Sequence, residues 1–249
     1  MKFLTTLLLL VMMTGQCFAQ GGKDSGVWDF IEGETEFYDS VVMVHGQKTK
    51  WFEDEQLWGT INFTGTGAVV AVDKTKKIRD GYQGIVLTAY HVVEENVADG
   101  KLKIEFDSGK KSNNCTVLAY DGDADIAFVW CWIPKGVEPI PISGAALQPG
   151  EYFELIGYGG RSNMEEPPRH FGGIAHHITR PEKIQSDESV MGGDSGGPCL
   201  NVDGEIVGVC INGGEGWPVE DKTLAHWPSR YAGIESIKAL QMKLPDWFK

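Results

Sequence analysis

Eight short runs rich in valine, isoleucine and aromatic residues follow one another along this 249-residue chain, punctuated by Gly, Asp, Asn and Pro. They are SVVMVHG (40–46), TGAVVAV (66–72), GIVLTAY (84–90), KLKIEF (101–106), CTVLAY (115–120), IAFVWCW (126–132), YFELIGYG (152–159) and EIVGVCI (205–211). β-Branched and aromatic side chains suit a pleated surface, and the punctuating residues suit turns. No long segment before the C-terminus has a helical period. GIESIKALQMKL (233–244) does, with Ile234, Ile237, Leu240 and Leu244 spaced along one face. The chain is therefore expected to be all-β, a sandwich or barrel architecture, with one C-terminal α-helix. PKGVEPIPISGAALQPG (134–150), with four prolines and three glycines, reads as a connection between two halves, and the tracts 20–35 and 160–171 read as loops.

The first residues, MKFLTTLLLLVMMTGQCFAQ, set one lysine before an apolar run and then small and polar residues. That is the layout of a secretory signal peptide with cleavage after Ala19, and the run is shorter than the roughly 20 residues of a membrane span. Export to the periplasm or the medium is expected, with no integral membrane segment after the signal is removed. The formal net charge of −13 argues against nucleic acid and anionic membranes, which bind basic patches. Beyond the signal, Cys115, Cys131, Cys199 and Cys210 form an even set, which in an oxidising compartment points to disulfides. Three pairings are possible. A hairpin folded at Asp123 would set Cys115 against Cys131, and Asp203-Gly204 marks a turn between Cys199 and Cys210. Four buried free thiols are the alternative.

In MGGDSGGP (191–198) one hydroxyl stands among residues with no side chain. A serine becomes a nucleophile when a neighbouring histidine takes its proton and a carboxylate holds that imidazole. The tetrahedral oxyanion then needs preorganised donors. Gly192 and Gly193 leave room for such an anion beside the N–H groups of Gly193 and Ser195. GDSGG also fits the nucleophile elbow of α/β-hydrolases, whose serine precedes its acid and histidine. Only 54 residues follow Ser195, with His226 the sole histidine and no strand–helix alternation. The opposite order is well supplied. VLTAYHVVEE places His91 at a strand end, and DGDADIAFVW places Asp125 just before another strand.

LTAYH, DIAF and GDSGGP together resemble the signature segments of chymotrypsin-like (trypsin-fold) serine peptidases. GTGAVV, HVVEE, IQSD (184–187) and LNVDGEIVG (200–208) resemble the bacterial HtrA/Deg-like branch. The resemblance implies two perpendicular antiparallel β-barrels, with the triad in the cleft between them; a PDZ-like module after the terminal helix is not expected. On it, residues 1–19 are the signal peptide and 20–39 an N-terminal segment. Residues 40–134 form the first barrel, 135–150 the linker, and 151–249 the second barrel and helix. It also implies a secreted serine endopeptidase acting on polypeptides through His91, Asp125 and Ser195, with the N–H groups of Gly193 and Ser195 as oxyanion hole and no metal or organic cofactor. A binding module with impaired catalysis and an esterase using the same triad are the rivals.

Two positions depart from the family pattern. Tyr90 stands where a small residue usually precedes the histidine, and Ile211 stands where a polar residue often supports the buried carboxylate. An Arg/Lys-Ile-Val-Gly-Gly activation site is absent upstream of His91, so an amino terminus inserted beside Asp194, as in the digestive zymogens, is not expected. Ser189 and Val190 map to the floor of the specificity pocket and Cys210, Ile211 and Asn212 to its wall, which favours a small or medium apolar P1 side chain. Of DGDAD (121–125), Ile126 and Trp132 spoil the match to a calcium loop, leaving Asp121 and Asp123 as turn carboxylates. His170, His176 and His177 are expected on loops without a metal, since adjacent strand side chains face opposite ways.

Overall fold

The computed structural model describes residues 34–54, 56–97, 101–179, 183–186, 190–212 and 229–248. The expected signal segment (1–19), residues 20–33 after it, and Ser189 lie outside the described residues.

Six strands close the first barrel: β1 (Val41–Phe52), β2 (Leu57–Ile78), β3 (Gly81–Ala89), β4 (Leu102–Glu105), β5 (Lys111–Asp121) and β6 (Ile126–Pro134), in the order β1-β2-β3-β6-β5-β4. The second barrel is built from β7 (Tyr152–Gly157), β8 (Arg169–Thr179), β9 (Lys183–Ser186), β10 (Pro198–Leu200), β11 (Ile206–Asn212) and β12 (Ser229–Gly233), in the order β10-β11-β12-β9-β8-β7. Every neighbouring pair is antiparallel, and closure leaves neither sheet with an open edge. The chain is thus all-β as expected, with short helices α1 (Tyr90–Val93) and α2 (Ile234–Gln241) and two 3₁₀ turns.

The runs Val41–Val44, Ala68–Val70 and Ile85–Leu87 are buried without alternation, and all belong to one apolar core that also takes in Ile206, Val209 and the terminal helix. A strand covered on both faces needs no polar side, which is why these runs read as continuous hydrophobic stretches. The connecting segment passes from one barrel to the other. Ile140 N–H donates to Val69 O at 2.8 Å, and Ser143 N–H to Ile206 O at 2.9 Å. Helix α2 buries Ile234, Ile237 and Leu240, followed by Leu244, and Lys238 Nζ donates to Gly144 O at 2.7 Å. The spacing read from the sequence is the face that packs.

Three expectations are corrected. The tract 160–171 is not loop throughout, because pairing of Gly157 with Arg169 starts β8 there. Its run RHFGGIAHHIT carries two glycines and three histidines, which hide the strand signal. His170, His176 and His177 accordingly lie on that strand rather than in a loop, where His170 Nε2 meets buried Glu154 at 2.7 Å. Nor is there a disulfide among the described residues: Cys115, Cys131, Cys199 and Cys210 are free, buried thiols. Across the β5–β6 hairpin Cys115 Sγ donates instead to Ser112 O and Oγ, both at 3.4 Å, and burial pushes the Cys131 pKa well up.

Candidate active site

β3 ends at Ala89 and the chain turns at once into α1, so His91 stands at a strand–helix junction of the first barrel. Asp125 sits just before β6, on a turn built by Asp121, whose Oδ1 accepts the N–H groups of Asp123 and Ala124, both at 3.0 Å. The turn leaves Asp125 at φ +59°, a left-handed conformation that aspartate tolerates better than most residues. Its two carboxylate oxygens are then divided. Oδ1 accepts His91 N–H at 2.8 Å, and Oδ2 lies 2.7 Å from His91 Nδ1. With Nδ1 as the donor to this carboxylate, a neutral imidazole keeps its lone pair on Nε2. Tyr90 N–H adds a bond to Asp125 O at 3.1 Å.

Ser195 comes from the second barrel, in the turn before β10, and is half-buried. His91, Asp125 and Ser195 line one cleft of about 560 Å³ together with Tyr90, Ile211 and Arg230. The serine and histidine face the same space, but among the described residues no hydrogen bond joins Ser195 Oγ to His91. Catalytic hydrogen bonds of this kind often tighten only when substrate is bound.

The glycines around Ser195 have distinct reasons. Gly196, at φ +89°, lies so close to the first barrel that a Cβ would come 2.0 Å from Thr66 O. Gly193 takes φ +105°. Gly160 N–H holds the Gly192 carbonyl at 2.9 Å, and in a trans peptide this turns the Gly193 N–H to the opposite side. Gly197 N–H likewise holds the Asp194 carbonyl at 2.8 Å, which aims the Ser195 N–H the other way. Neither N–H, of Gly193 or of Ser195, has an acceptor among the described residues.

Thr66 was not anticipated from sequence, although GTGAVV was. It is fully buried on β2 and ties the first barrel to the serine loop. Its N–H donates to Ser195 O at 2.7 Å, its Oγ1 donates to Gly193 O at 2.6 Å, and Oγ1 accepts Tyr158 N–H at 2.9 Å. Thr66→Val keeps the shape but strands a buried carbonyl and a buried N–H. It is expected to cost about 2–5 kcal/mol of stability, read as a lower urea midpoint with an unchanged m-value.

The two departures from the family pattern are resolved locally. The Tyr90 ring stacks on Tyr120, centroids 4.5 Å apart and nearly parallel, which takes its bulk along the cleft wall. Burial, then the neighbouring Tyr120 and Glu94, raises its phenol pKa, so it stays neutral. Ile211 lines the cleft and offers Asp125 no donor; among the described residues the carboxylate is held by His91 alone. Of the expected specificity residues, Val190 is half-buried and Cys210 is wholly buried in the second barrel's core, its carbonyl accepting Gly196 N–H at 2.6 Å. Asn212 pairs in β11 through its backbone, and its side chain lies outside the described ones.

Asp194 is fully buried behind the serine. Its Oδ1 accepts Gly159 N–H at 2.7 Å, while Oδ2 accepts Met191 N–H at 2.9 Å and Arg169 Nη1 at 2.7 Å. Arg169 was not singled out in the sequence, where it looks like any arginine of a polar tract.

Comparison with known proteins bears on the family and the fold. Residues 65–209 match the model of the trypsin-like peptidase domain. Serine protease HTRA3 of Homo sapiens is 29% identical over 196 residues, covering 67% of this chain and 42% of that protein. Periplasmic serine endoprotease DegP of Salmonella typhimurium is 28% identical over 152 residues, covering 59% of this chain and 30% of that protein. The chain thus spans less than half the length of either relative. A crystal structure of the serine endoprotease from Yersinia pestis shares the fold with a TM-score of 0.57 at 19% identity, over 84% of this chain and 63% of that one. With the match to the family model running from β2 to β11, this chain belongs to the trypsin-like peptidase family.

Proposed function

We propose that this protein is an exported serine endopeptidase with His91, Asp125 and Ser195 as its catalytic triad. The observation that carries the reading is the divided grip of Asp125 on His91, in one cleft with Ser195, whose loop holds two N–H groups without acceptors among the described residues. In this reading His91 Nε2 takes the Ser195 Oγ proton as Oγ bonds to the peptide carbonyl carbon. The carbonyl electrons move onto oxygen, which the N–H groups of Gly193 and Ser195 stabilise. The imidazolium, held by Asp125, passes its proton to the leaving amine as the C–N bond breaks. Water then repeats the sequence on the acyl-enzyme and frees Ser195.

Export rests on the N-terminal sequence and is consistent with the name of the periplasmic relative. In this reading the P1 side chain is small or medium and apolar, which rests on Val190 at the expected pocket floor, half-buried against the second barrel's apolar core. Purified protein is expected to label with a fluorophosphonate and to cleave a peptide library with that preference. Folded protein that neither labels nor cleaves would make it a binding module, and ester turnover without peptide turnover would make it an esterase.

A further inference from the structure

We infer that Arg169 is a positioning residue that locks the oxyanion loop in its working shape as soon as the chain folds; the inference rests on the peptidase reading above. A fully buried carboxylate must be neutralised or it drives its segment toward water. Asp194 is such a group, at 0% exposure, and Arg169 Nη1 lies 2.7 Å from its Oδ2. Backbone donors complete the shell, Gly159 N–H on Oδ1 and Met191 N–H on Oδ2.

These contacts shape the loop. Met191 N–H and Asp194 Oδ2 close residues 191–194 into a turn, reinforced by Asp194 N–H to Met191 O at 3.0 Å. Gly159 is drawn against the carboxylate so closely that a Cβ there would fall 2.4 Å from both oxygens. Its neighbour Gly160 then holds the Gly192 carbonyl, which aims the Gly193 N–H. Arg169 thus acts on the oxyanion donor through Asp194, Gly159 and Gly160, without lining the cleft itself.

The guanidinium is itself fixed. Arg169 is the first residue of β8, paired with Gly157 of β7, and its guanidinium carbon lies 4.8 Å from the Phe171 ring centroid. A counter-ion carried on a barrel strand arrives with folding, so it needs no chain cleavage to supply an ammonium. A guanidinium also keeps its charge across the working pH range.

The test uses Arg169→Ala and Arg169→Lys in the full chain, assayed by peptide turnover and by the rate of fluorophosphonate labelling. Arg169→Ala is expected to lower kcat by about 10²-fold or more with KM within about threefold, the signature of lost transition-state stabilisation. Added ethylguanidinium is expected to restore at least about tenfold of that loss, saturably, and to leave the wild type unchanged. Arg169→Lys, which keeps the charge, is expected to fall between the two. Folded Arg169→Ala with wild-type kcat, a change in KM alone, or a loss that ethylguanidinium does not touch overturns the inference.

If Arg169→Ala fails to fold, the double variant Arg169→Ala/Asp194→Asn decides, since it removes both charges. A folded double variant with the same kcat loss supports positioning. Wild-type kcat, or a second failure to fold, assigns the pair to stability and overturns it. A wild type without turnover or labelling fails earlier, at the peptidase reading itself.

Discussion

Ser195→Ala is expected to abolish fluorophosphonate labelling and to cut peptide turnover by about 10⁶-fold, and His91→Ala to cut it nearly as far. The two losses are not independent. Without the imidazole, Ser195 Oγ has no base, and without Oγ the imidazole has no proton to take. The double variant is therefore expected to be no slower than Ser195→Ala alone. Residual catalysis of about 10³–10⁴ over water persists from binding and the oxyanion donors. Both side chains reach the cleft rather than the core, His91 with 43% of its side chain exposed, so the variants are expected to melt within about 1 °C of wild type. Turnover of either single variant within a hundredfold of wild type would remove the triad.

The second large effect is at Asp125. Asp125→Asn keeps the shape and a side chain at home at φ +59°, yet its amide donates where the carboxylate accepts. An amide N–H facing His91 Nδ1 forces the ring proton onto Nε2, the atom that must receive the serine proton. A fall in kcat of about 10⁴ is expected, with stability nearly unchanged. Asp125→Ala should lose as much activity and also about 1–2 kcal/mol of stability, because alanine is strained at that φ and the His91 N–H loses its acceptor. Thermal melts alongside initial rates separate the two variants. Ile211 gives the carboxylate no hydroxyl to lean on, so among the described residues the two-point contact with His91 carries its orientation.

The same site shows which of its parts are visible in a linear chain. LTAYH, DIAF and GDSGGP are legible because each combines a reactive side chain with a local backbone demand. His91 closes a strand, Asp125 follows a turn built by Asp121, and Ser195 lies in a loop where a Cβ at Gly196 would strike Thr66 O. The helix at 234–241 was legible from its spacing alone. Strand β8 was not, because its glycines and histidines carry little β signal and its pairing with β7 sets its conformation.

By itself the sequence determined an all-β chain with a terminal helix, and it offered three candidate catalytic residues in an order that suits a chymotrypsin-like cleft. Local propensity and local motifs carry that much, since strand, turn and nucleophile each need particular residues at short range. Only the tertiary structure decided that Thr66 would hold Gly193 across 127 residues and that Arg169 would be the partner of buried Asp194. Such contacts depend on barrel closure and strand register, and a threonine or arginine reads the same in sequence whether it faces water or a buried partner.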